Sequence, residues 1–83
     1  MRLISFVFAL LLFLSTHAFA LERFQDEQAA QQHCPTDTVA WLNIPTGIMH
    51  FKGQRWYGRT KSGAYVCLKE GEKEGDRRTR NGQ

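Results

Sequence analysis

The chain is poor in the residues that most chemistry needs. It has only two cysteines, Cys34 and Cys67. No cysteine or histidine pair stands two to four residues apart, so no standard zinc spacing is present. No glycine-rich loop offers a phosphate cradle. No paired-carboxylate arrangement suggests acid–base hydrolysis, and Ser62 stands in a turn-like stretch where serine is ordinary. No apolar run reaches the ~20 residues of a membrane-spanning helix; the longest, Leu3 to Leu14, has about 12 and is broken only by Ser5. There is no internal repeat and no long linker. Catalysis of any kind therefore has little to rest on.

What is present begins with an export pattern. Met1-Arg2 gives a short positive start, the apolar run follows, and Ala18-Phe19-Ala20 is a small-x-small cleavage site. This is the three-part form of a secretory signal peptide over residues 1–20. No cysteine follows the cleavage point, which excludes lipid attachment there, and no stable membrane anchor is expected after cleavage. The expected product, residues 21–83, is a single small domain in the periplasm or the secreted fraction. A domain of that size buries only about 60% of its unfolded surface and needs a staple. In an oxidising compartment a Cys34–Cys67 disulfide meets that need. The chain-entropy model assigns its loop of about 34 residues roughly 3–4 kcal/mol.

Charge is unevenly spread. The whole chain carries +3, and removal of Arg2 with the leader leaves 10 Lys and Arg against 8 Asp and Glu, or +2. Residues 39–68 hold Lys52, Arg55, Arg59 and Lys61 with no acid at all. A local excess of this kind attracts anions, although basic residues on exposed strands also discourage edge pairing.

The pattern predicts an α+β fold. Glu22 to His33 reads as a helix, with good helix formers, acids early and a histidine late. Pro35 ends it and pushes Cys34 toward extended backbone. Val39 to Asn43 and Ile48 to Phe51 read as strands around an Ile44-Pro45-Thr46-Gly47 turn. Arg55 to Thr60 and Ala64 to Leu68 read as two more, joined by Lys61-Ser62-Gly63. With every connection short, the four strands are expected as an antiparallel meander. The N-terminal helix packs on one face, and a short C-terminal helix (69–75) or frayed tail follows. The expected core is Phe24, Val39, Trp41, Ile48, Trp56, Tyr65 and the disulfide.

Several stretches look familiar together. They are Cys34-Pro35-x-Asp37-Thr38-Val39, Trp41-Leu42-Asn43, Gly47-Ile48-x-His50, Lys52-Gly53-x-Arg55-Trp56-Tyr57-Gly58, Thr60-Lys61-x-Gly63-Ala64-Tyr65-Val66-Cys67 and Thr79-Arg80-Asn81-Gly82-Gln83. On these the chain resembles a family of small, uncharacterised exported bacterial proteins. The resemblance implies a periplasmic or secreted protein and implies no activity. Met49 and Ile44 depart from the pattern, which favours an aromatic and a polar residue there. Phe51 stands where related modules carry a further cysteine, which counts against a metal role.

Two side-chain groups merit weighing. His50, Lys52, Arg55, Tyr57, Arg59 and Lys61, with Trp56, interleave bases and aromatics. Such a face can hold an anionic partner: nucleic acid, glycan or acidic protein. In period two, Trp56 and Gly58 face one side while Arg55, Tyr57 and Arg59 face the other, so an ordinary amphipathic strand with cation–π contacts gives the same pattern. His33, Cys34, His50 and Cys67 could together hold zinc, but a disulfide would consume both thiols. The reading is a non-catalytic exported binding module with no cofactor. A small zinc module and a purely structural envelope protein are the alternatives.

Overall fold

The computed structural model describes residues 21–83; the expected leader lies outside the described residues. Three strands follow the alternation in the sequence. β1 (Val39–Asn43) turns back into β2 (Ile48–His50), pairing antiparallel with Leu42 opposite Met49. The Gly47 N–H donates to the Asn43 carbonyl at 2.9 Å, and Gly47 has φ 71°, where a side chain would be strained. β3 (Gly63–Cys67) pairs antiparallel with the other side of β1, Trp41 opposite Tyr65 and Val39 opposite Cys67.

The expected strand over 55–60 does not form. Residues 51–62 close on themselves in successive turns: Gln54 N–H donates to Phe51, Tyr57 N–H to Gln54 and Arg59 N–H to Trp56, at 2.9, 3.3 and 3.0 Å. Amides spent locally are not available to a sheet ladder. The fourth strand is instead β4 (Arg77–Arg78), which runs parallel to β2 and gives the order β3-β1-β2-β4. The sheet is thus mixed rather than a meander. The chain between β2 and β4, which carries β3 and α2 (Leu68–Lys73), is long enough for a parallel return.

Helix α1 spans Glu27–His33, five residues shorter at its start than the sequence suggests. Asp26 takes the cap position and accepts the Gln28 N–H at 3.2 Å. Upstream, Phe24 exchanges two backbone hydrogen bonds with Tyr65, at 2.9 and 2.8 Å, and so covers the open side of β3. Competition from that bridge is what shortens the helix.

Alternation divides the sheet into two faces. Ala40, Leu42, Met49, Ala64 and Val66 share one. With Leu68, four of them form the buried aliphatic core, and Ala64 is buried beside them. Helix α2 lies on this face so closely that a Cβ at Gly71 would come within 2.5 Å of the Met49 sulfur. Glycine, which costs a helix about 1 kcal/mol, is retained there for that approach. Asp37 accepts the Lys69 N–H at 2.9 Å and secures the start of α2. Burial of Leu42 and of Met49 contributes about 1.5–3 kcal/mol each.

Val39, Trp41, His50, Tyr65 and Cys67 alternate onto the opposite face. α1 packs here, with Ala30 fully buried and the Cys34–Cys67 disulfide joining its end to the last residue of β3. The expected core is corrected accordingly. Val39 is buried, but Phe24, Trp41, Ile48 and Tyr65 are half-buried and Trp56 is 38% exposed. The densest packing lies on the other side of the same strands. The tail is not frayed: the Thr79 N–H donates to Met49, and the Trp56 N–H donates to Gln83, both at 3.0 Å.

Candidate functional site: a cationic cavity beside the sheet

The turns of residues 51–62 lie against the second face and are anchored through aromatics. Trp41 meets Tyr65 edge-on, with ring centroids 4.9 Å apart, and Tyr57 meets Tyr65 edge-on at 5.6 Å. The Trp41 Nε1–H donates to Thr60 Oγ1 at 2.8 Å. The Tyr57 hydroxyl donates to Glu27 Oε2 at 2.9 Å, and the Lys52 ammonium stands 3.1 Å from the same oxygen. The Glu27 carboxyl is held below its ordinary 4.5, first by the Lys52 hydrogen bond and then by Tyr57. Burial, reinforced by the carboxylate it donates to, pushes the Tyr57 phenol well above its usual range.

This geometry splits the expected basic face. Lys52 and Tyr57 are engaged in fastening the loop to α1. Arg55 stands over the Trp56 ring, 4.9 Å from its centroid, which matches the cation–π reading of that pair. Arg59 and Lys61, with His50, line a cavity of about 470 Å³. Its other walls are Asn43, Thr46 and Ile48 from the β1–β2 hairpin, Trp56 and Thr60 from the loop, and Thr79, Asn81 and Gln83 from the tail. Three basic side chains line this space and no acidic one does. His50 is only 6% exposed, and its Nδ1 is buried without a hydrogen-bond partner. A buried polar nitrogen left in that state is costly.

The walls therefore combine a flat indole and an aliphatic side chain with amides, hydroxyls and cations. Among the described residues no cysteine is free, so no thiol nucleophile adjoins the cavity. The sequence pointed to His50, Arg59 and Lys61. It did not single out Asn43 or Thr46, which the β1–β2 hairpin brings to the wall, nor Thr79, Asn81 or Gln83, whose only signal is proximity created by β4 and the folded tail.

The four-residue zinc set is also rearranged. His50 lies on β2 and Cys67 on β3, with β1 between them, which places their backbones more than about 9 Å apart. Both thiols are in the disulfide. Beside it, His33 Nε2 and Glu70 Oε2 are 2.9 Å apart, and these two side chains with the Cys67 sulfur form a group within 4.8 Å of one another.

Among the described residues no helix is long and apolar enough to cross a membrane. No protein-family model, no curated protein and no solved structure matches the chain.

Proposed function

We propose that the protein is an exported, non-catalytic binding module whose cavity takes an anionic, hydroxylated ligand of the acidic-glycan class. The observation that carries this reading is the cavity lined by His50, Arg59 and Lys61 with no acidic side chain among its walls. Its volume falls within the range of small-molecule sites, enough to seat a sugar unit. Trp56 and Ile48 supply an apolar platform. Asn43, Asn81 and Gln83 supply amides suited to ring hydroxyls, and the cations suit a carboxylate. The export pattern and the disulfide agree with a ligand met outside the cytoplasm.

The test is an NMR titration with three probes: a uronic-acid oligosaccharide, a short single-stranded DNA and a glutamate-rich peptide. The oligosaccharide is expected to shift the Trp56 indole and the His50 ring. Replacing Arg59 and Lys61 together by Ala should weaken that binding about ten- to a hundredfold, as loss of charge-assisted hydrogen bonds does. Preference for the DNA or the peptide would replace the glycan by that partner. No response to any probe would leave the structural-protein alternative.

A further inference from the structure

We infer that the Cys34–Cys67 crosslink conceals a redox-dependent zinc site completed by His33 and Glu70. The inference is independent of the cavity. It starts from what surrounds the disulfide at the junction of α1, β3 and α2. His33 is the last residue of α1 and Cys34 its cap, while Cys67 ends β3 and Glu70 lies in the first turn of α2. Two donors already point together, since His33 Nε2 is 2.9 Å from Glu70 Oε2. Tetrahedral zinc spaces a nitrogen and an oxygen ligand about 3.3 Å apart, so this pair needs little movement. The sulfur of Cys67 lies within 4.8 Å of both. The remaining Glu70 oxygen, Oε1, is buried without a hydrogen-bond partner, so the protein alone leaves this carboxylate incompletely satisfied.

Cys34 supplies the fourth ligand. Two sulfurs bonded at about 2 Å sit about 3.8 Å apart when both bind one zinc. Side-chain rotation can cover that difference without unwinding α1 or β3. The step balances as follows. A dithiol reductant passes two electrons into the S–S bond and becomes a disulfide itself. The two protons it yields go to Cys34 and Cys67. Those protons leave again as zinc takes the two thiolates, giving a site of two sulfurs, one imidazole nitrogen and one carboxylate oxygen. In the oxidised protein neither sulfur is a thiolate, so affinity is confined to the reduced form. The metal would then replace the covalent link between the end of α1 and the end of β3.

The experiment uses the chain 21–83 in four forms: oxidised, dithiol-reduced, and reduced with His33→Ala or Glu70→Gln. Zinc stoichiometry is read by elemental analysis after gel filtration, and coordination by the thiolate charge-transfer band of substituted cobalt. The reduced wild-type chain should hold one zinc and the oxidised chain none. Each variant should bind at least about tenfold more weakly. The amide spectrum of the reduced, zinc-loaded chain should keep the dispersion of the oxidised one. The inference is overturned if the reduced chain takes no zinc, if it stays unfolded in zinc, or if His33→Ala and Glu70→Gln bind as tightly as wild type. None of these results bears on glycan binding by the oxidised protein.

Discussion

The two faces of one small sheet are built on different principles. One is aliphatic and closed: Ala40, Leu42, Met49 and Val66 pack beneath α2 at a distance only Gly71 permits. The other is aromatic and polar: Trp41 and Tyr65 carry a turn-rich loop, and His50 stays buried with an unpartnered nitrogen at a cavity wall. The strands are the same, and only the parity of the residue decides its role. Stability on the first face comes from burial. Shape on the second comes from a few directional contacts, which leave space that burial alone would close.

The comparison breaks most sharply if a change on the closed face alters ligand affinity. Leu42→Ala is expected to cost about 2–5 kcal/mol, by lost burial and a cavity that cannot collapse. Affinity per folded molecule should be unchanged. Denaturant unfolding alongside the oligosaccharide titration checks both, and a drop in affinity would show that the faces are not separable.

The reverse asymmetry is expected on the open face. Trp41→Phe keeps a ring against Tyr65 but removes the Nε1–H bond to Thr60 Oγ1. The stability loss should be about 1 kcal/mol. Oligosaccharide binding should weaken all the same, because Thr60 is a cavity wall. If unfolding shifts and binding does not, the loop is held by other contacts.

The smallest effect concerns acid. Glu27 has a lowered pKa in the folded state, so its contribution is present above its ordinary value of 4.5 and is lost as pH falls through the lower folded value. Asp76 behaves oppositely. Burial raises its pKa, so its contribution is present at low pH and is lost as pH rises through the raised value. Glu27→Gln should therefore flatten the acid side of the stability profile, most visibly at low salt since the Lys52 partner is exposed. An unchanged profile would remove the Glu27 tether from the linkage.

Much of the sheet was legible before any coordinates. β1, β2 and β3 stand within a residue of where period-two alternation and the Pro45-Thr46-Gly47 turn place them, and the two cysteines form the expected Cys34–Cys67 disulfide. The aromatic stretch misled because Arg55, Tyr57 and Arg59 against Trp56 and Gly58 imitate a strand. Where its amide hydrogens go is not written in side-chain parity. β4, two arginines long, has no sequence signature at all. The core was sought among large aromatics, yet Ala40, Leu42, Met49 and Val66 pack tighter because they are compact and shielded by α2. The site was half legible: His50, Arg59 and Lys61 carry charge that composition reveals, whereas the tail residues contribute only by arriving.

The excursion between His50 and Gly63 also sets the order in which the molecule comes together. The β1–β2 hairpin spans a short turn, and such hairpins close in about 1–10 μs. β3 can add only after residues 51–62 have been looped out, with the entropy of that closure already spent. β4 waits in turn on α2. The cavity draws walls from the hairpin, from the loop and from the tail, so it exists only once the slowest of the three has docked. Refolding followed by the Trp56 environment would therefore time completion of the binding site, while the collapse of Leu42 and Met49 would already be over.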